Sequence, residues 1–273
     1  MVSLKVIGIA LGVLTVLAGM LIETQELDGC MFDPDHLHEI VQSVISDYPD
    51  PEDVRGRIDA VVERVDKAYP GYLQGKDREE WLLNFAGNAV GQMWPLRITL
   101  SSYLIIFGTP HGPKENPGIP GMSTNAAFTG RYPLATDFFM PLTGIQLGYA
   151  PGDMRVTVHK PGDMHILKPG DAEVYEFPGY IAGESTGGGF ALEYACGGSA
   201  LRAGETAPSG KSAGVRGAWK GTKATLWSLF AIPSMLPFGL VQIATSTHDY
   251  YTAWRTVYVS AWYIVENLLR GQI

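Results

Sequence analysis

The segment Phe190-Ala191-Leu192-Glu193-Tyr194-Ala195 sets one carboxylate inside an otherwise apolar run. With the two-residue period of a strand, Phe190, Leu192 and Tyr194 share one face, and Ala191, Glu193 and Ala195 the other. The first face is built for packing. The second holds an acid between two methyl-sized neighbours, which leaves volume beside it. A carboxylate is costly to desolvate and is seldom buried unpaired. On an edge strand Glu193 would simply face water, but the flanking alanines and the lack of other charge nearby favour an acid lining a cavity. There, desolvation raises the carboxyl pKa.

The rest of the chain must position that strand. Its 273 residues suffice for one large domain or two small ones with a substantial core. Hydrophobic residues make up 46% and charged ones 18%, slightly greasy for a soluble protein. A formal net charge of -8, with no basic-aromatic motif, argues against nucleic acid as a partner. Leu4 to Ile22 is apolar apart from Lys5, Thr15 and small glycines, close to the roughly 20 residues a bilayer-spanning helix needs. A cleaved signal peptide is the alternative, but a single basic residue before a long apolar run favours an uncleaved anchor within residues 1–25. Cys30 and Cys196 permit one disulfide and form no metal-ligand framework.

A helical region is expected over 26–110. Val54, Ile58, Val61, Val62 and Val65 follow helical spacing, Asp50-Pro51-Glu52 suits a helix start, and Pro70-Gly71 a stop. A second helix is expected from Asp77 to Met93, interrupted by Pro95 before the apolar run Leu96–Phe107. From 111 to 200 the texture is that of a β-barrel. Pro-Gly-Asp recurs at Pro151, Pro161 and Pro169, between short runs that read as strands. Proline then glycine fits a type II turn, whose third residue needs positive φ. Residues 201–217 read as a Gly/Ala/Ser-rich insertion with basic residues that continue to Lys220 and Lys223. From 218 to 273 helices are expected. Trp254, Tyr258, Trp262 and Val265 recur on one face of the last, about Thr247–Leu269, which fits a membrane interface or a core helix.

Several stretches in order resemble the fungal C-8 (Δ8→Δ7) sterol isomerases and their relative, the sigma non-opioid receptor. They include Leu100–Thr109, Thr129-Gly130-Arg131-Tyr132, Asp137-Phe138-Phe139 and Pro161–His165. The Glu193 strand, Met235–Gly239 and Ser246–Tyr258 complete the set, which spans most of residues 80–270. The resemblance implies an α+β fold: a cupin-like antiparallel β-barrel around an apolar pocket, with an amino-terminal transmembrane helix and carboxy-terminal membrane-associated amphipathic helices. It also implies a homotrimer in the endoplasmic reticulum membrane, or a subunit of a larger membrane assembly, and a sterol or hydrophobic amine as ligand. It nominates Glu193 and Asp137 for proton handling, Tyr103 to orient Glu193, and His165, Phe107, Tyr132 and Phe139 at the ligand. Taken alone, Asp137 also fits a turn after Ala135-Thr136, His165 an exposed turn residue, and Tyr103 plain packing. No cofactor is expected, and no metal, since the barrel strands carry no His-x-His with a following acid. Four positions depart from the isomerase pattern: Arg97, Ser102, Phe128 and Gln242 stand where His, Glu, His and Asp are usual. Those departures leave a non-catalytic relative as the alternative to an active isomerase.

Overall fold

The computed structural model describes residues 31–272 apart from 87–88, 114, 116–120, 131–134, 182–183, 186–187 and 198–230. The expected anchor, Tyr132 and the basic insertion therefore lie outside the described residues. Among the described residues no helix is long and apolar enough to cross a membrane.

Two helices come first: α1 (Pro34–Asp47) and α2 (Val54–Ala68). Each begins on an aspartate whose side chain accepts a backbone N–H, Asp33 from Asp35 and Asp53 from Gly56. The valine spacing read in the sequence becomes the buried stripe of α2. Strands follow: β1 (Leu82–Ala86), β2 (Ala89–Ile98), β3 (Ser102–Thr109), β4 (Ala127–Phe128), β5 (Ala135–Thr143) and β6 (Gln146–Tyr149). They continue with β7 (Thr157–His159), β8 (His165–Leu167), β9 (Val174–Glu176), β10 (Tyr180–Ile181), β11 (Glu184–Ser185) and β12 (Gly189–Gly197). Helices α3 (Ala231–Thr247) and α4 (Tyr250–Leu269) close the chain. The break between them falls at His248, whose φ is 56°, and Asp249 caps α4 by accepting from Thr252 N–H.

The helix expected over Asp77–Met93 does not form, and the run Leu96–Phe107 is strand as well. Both belong to an antiparallel sheet. From Met93 onward β2 is buried on both faces, which erases the alternation that marks a strand in sequence. Pro95 does not end this strand. The register shifts between Pro95 and Arg97, so the residue without an N–H donor sits at a bulge.

The larger sheet has six strands in the order β1-β2-β3-β12-β5-β8, and the smaller has four in the order β4-β9-β6-β7. All their pairings are antiparallel. One face of the larger sheet, with Leu104, Ile106, Met140, Leu192 and Tyr194, packs on α1 and α2. The other, with Ile105, Phe107, Phe139 and Ala191, meets Phe177 and Tyr175 of the smaller-sheet side and Ile232, Val259 and Tyr263 of the final helices.

The three Pro-Gly-Asp copies form matching turns. Their glycines, Gly152, Gly162 and Gly170, have φ of 102°, 90° and 87°. In each turn the aspartate N–H donates to the carbonyl three residues back, and its carboxylate accepts that residue's N–H: Asp153 to Ala150, Asp163 to Lys160, Asp171 to Lys168. The side chain thereby pins both ends of the reversal.

Candidate active site

Register decides which side chains meet. On β12, Glu193 lies opposite Ile105 of β3 and Phe139 of β5, while Ala195 lies opposite Tyr103 and Asp137. Directly opposed residues of antiparallel strands project from the same face. Glu193, Asp137, Tyr103, Phe107 and Phe139 therefore share the inner face of the larger sheet. His165 pairs with Phe139 and joins them from β8. The structure thus brings together six of the seven residues singled out in the sequence, and the seventh, Tyr132, lies outside the described residues.

Tyr103 Oη donates a hydrogen bond to Glu193 Oε1. The walls are apolar: Phe139 packs against Phe107 and Phe177 at ring-centroid distances of 6.4 and 5.6 Å. Glu193, Asp137 and Tyr103 keep part of their surface uncovered, although they stand on central strands with both sheet faces covered. Phe107, Phe139 and Ala191 around them are buried. The two acids and Tyr103 are thus less completely covered than the apolar side chains that surround them.

Burial in these surroundings pushes the Glu193 carboxyl up from 4.5 to about 7, against the pull of the Tyr103 hydroxyl. Asp137 is also raised, first by burial and then by the negative charge of Glu193, with the Phe138 N–H opposing. Its Oδ1 is buried and has no hydrogen-bond partner. Two acids that cannot both ionise cheaply share a proton near neutrality. Asp137, with its orphaned oxygen, is the natural holder of that proton. Glu193, with a hydroxyl donor, is the natural carboxylate.

His165 also has two close protein neighbours. Its Nε2 lies 2.8 Å from Glu173 Oε2, and its ring stacks on His159 at 4.3 Å. The sequence reading missed both neighbours, because His159, His165 and Glu173 sit on separate strands or loops with no recognisable ligand spacing.

Three of the four departures, Arg97, Ser102 and Phe128, lie away from this face. Arg97 is opposite Leu104 and fully buried, donating to Tyr72 O at 3.1 Å and Gln272 Oε1 at 2.8 Å. Desolvation lowers its pKa to about 10. Ser102 is opposite Cys196, in the core against α1 and α2. Phe128 is exposed on β4, and Gln242 sits on α3. A surface groove of about 290 Å³, lined by Arg78, Glu80, Trp254, Arg255, Tyr258 and Trp262 among others, runs along α4 and does not include Glu193.

The chain is 32% identical over 240 residues to the C-8 sterol isomerase erg2 of Aspergillus fumigatus, covering 88% of this chain and 77% of that protein. It is 31% identical over 242 residues to the C-8 sterol isomerase of Neurospora crassa, covering 89% and 73% respectively. Among solved structures it is similar to an RmlC-like cupin from Shewanella frigidimarina, at a TM-score of 0.31 and 10% identity over 46% of this chain and 89% of that one. That likeness is too slight to build on. Residues 8–200 and 226–272 match the family described as ERG2 and Sigma1 receptor like protein. With most of its length matched in this way, the chain belongs to that family.

Proposed function

We propose that the protein is a C-8 sterol isomerase, moving a sterol double bond from Δ8 to Δ7 without a cofactor. The observation that carries this reading is the acid pair on the inner face, Asp137 with an unpaired buried oxygen and Glu193 held near neutrality by burial. The shift needs a proton added at C9 of the C8=C9 bond, a cation at C8, and loss of a proton from C7. Protonated Asp137 delivers the first proton, and ionised Glu193 stabilises the passing cation and accepts the second. Tyr103 holds the Glu193 carboxylate in place. Afterwards the proton returns from Glu193 to Asp137, and the pair is restored. Phe107 and Phe139 give the apolar wall that a sterol ring system requires, and keep water from the cation.

Arg97 and Ser102 stand on the opposite face of the larger sheet and Phe128 is exposed, so these three departures give no support to a non-catalytic relative. An ammonium-bearing hydrophobic amine is expected to imitate the cation and pair with Glu193. The exposed aromatics Trp254, Tyr258 and Trp262 of α4 support attachment to a membrane surface, with residues 1–25 as its anchor. The endoplasmic reticulum and a homotrimer complete the proposal by resemblance to the family. The decisive experiment incubates the full chain in detergent with a Δ8 sterol and follows the Δ7 product by mass spectrometry. Conversion by the folded protein and its loss in Glu193→Gln supports the reading. No conversion, together with failure to restore growth of a fungal strain lacking its own isomerase, overturns it.

A further inference from the structure

The larger sheet ends at β8 and the smaller at β7, so these two edges are where hydrogen-bonded pairing stops and the layers meet. Chain continuity crosses that seam through the turn at Pro161-Gly162-Asp163. Side chains cross it too. His159 ends β7, His165 begins β8, and Glu173 precedes β9 of the smaller sheet. One ligand-type atom from each of the three lies within 4.8 Å of the others. Ligands on a tetrahedral zinc, at about 2.0–2.2 Å from the ion, sit roughly 3.3 Å apart, so rotamer adjustments of the order of an ångström suffice to close the set.

Three further details favour an ion over a plain hydrogen-bonded cluster. His159 Nε2 is buried without a partner. Gln146, the cross-strand partner of His159 and on the same face, is also buried, and its Oε1 has no partner either. Orphaned buried acceptors are costly, and a cation answers both at once. The backbone also leaves room for the carboxylate: a Cβ on Gly148 would lie 1.6 Å from Glu173 Oε1, so any larger residue there would displace the Glu173 side chain from this position. By contrast His36 and His38, the other close histidine pair, lie on α1, where His38 Nε2 already faces the Gly162 carbonyl at 2.7 Å.

We propose that His159, His165 and Glu173 bind one divalent transition-metal ion of the zinc type, clasping the free edges of the two sheets. Two imidazoles and a carboxylate are a ligand set that zinc and its neighbours accept, with Gln146 or water at a fourth position. The ion has no step in the proton transfer at Glu193, and its presence does not depend on the isomerase reading. The role is mechanical: it ties β7, β8 and the β9 approach where no backbone ladder does. His165 then serves as a metal ligand.

The test uses the full chain without a polyhistidine tag, stripped by a chelator and titrated with Co2+. The expected result is one Co2+ per chain, with visible ligand-field bands that Zn2+ displaces, and an unfolding temperature that rises on Zn2+ addition. Glu173→Gln and His159→Ala are expected to weaken binding at least about 100-fold and to abolish the thermal rise. His36→Ala, and separately Glu193→Gln, are each expected to leave both unchanged. If either seam variant fails to fold, X-ray absorption at the zinc edge of the wild-type protein decides, by the presence or absence of imidazole scattering. Missing bands, an unmoved unfolding temperature, equal affinity in the seam variants or a zinc shell without imidazole each overturn the proposal.

Discussion

On β12 successive residues enter two different environments. Phe190, Leu192 and Tyr194 face α1 and α2, where the core is continuous and apolar. The Tyr194 hydroxyl is the one polar tip this strand sends there, and it accepts from Phe32 N–H at 3.3 Å. Ala191, Glu193 and Ala195 face the opposite layer, where two acids and Tyr103 stand among buried aromatics. The first face secures the strand, and the second spends that stability on a pair of carboxyls that burial disfavours in their charged form. Substitutions on the first face should therefore move stability, and on the second chemistry.

The largest separation is expected from Glu193→Gln. Sterol conversion should fall by about 10²–10⁴-fold, the usual worth of a positioned acid or base, while the thermal unfolding midpoint stays level or rises. A protein that unfolds instead would make Glu193 a structural residue. On the opposite face, Leu192→Ala should cost about 2–5 kcal/mol in urea unfolding and leave conversion per folded molecule near wild type. Equal losses of activity from both would dissolve the distinction between the faces.

Titration sharpens it further. The Glu193 carboxyl is raised from 4.5 to about 7. Below the unfolded value it is protonated in both states and carries no penalty. As pH rises toward 7 the unfolded chain ionises first, so stability falls and then levels once the folded group has ionised too. Asp137, raised in the same sense, adds to the slope. Melting curves from about pH 5 to 8 should show this decline, and Glu193→Gln should flatten it. Tyr103→Phe removes the donor that favours the carboxylate. It should raise the pH midpoint of activity and reduce conversion by about tenfold, the worth of one hydrogen bond to a charged group. The smallest effect belongs to Phe128→His, which restores an isomerase-type residue at an exposed site. It should change stability by under about 0.5 kcal/mol and conversion by less than twofold. A large gain in conversion would place Phe128 in the site.

Much of this was legible before any coordinates. The two-residue period around Glu193 identified the packing face and the acid face, because side chains alternate on any strand. The Pro-Gly-Asp copies announced their turns, since glycine alone takes positive φ without strain and aspartate can close the reversal on itself. The valines of α2 spoke through their spacing. Where both sides of an element are covered, that signal vanished. Residues 77–93 read as a helix ended by Pro95 because much of β2 is apolar on both faces and the bulge at Pro95 resembles a breaker. The companions of His165 were hidden for another reason: their proximity arises from the edges of two sheets meeting, and no local spacing encodes it.

The amino-acid order by itself thus determined the alternation that commits Glu193 to one face, the reversals, and the amphipathic helix, all properties of neighbours along the chain. Tertiary structure alone decided that Asp137 and Tyr103 stand beside Glu193, that Arg97 and Ser102 point away from it, and that His159, His165 and Glu173 converge on a seam. Those outcomes depend on strand order and register, which are set by the packing of distant segments against one another. Such long-range pairing follows from the free energy of the whole assembled core, and no window of the sequence contains it.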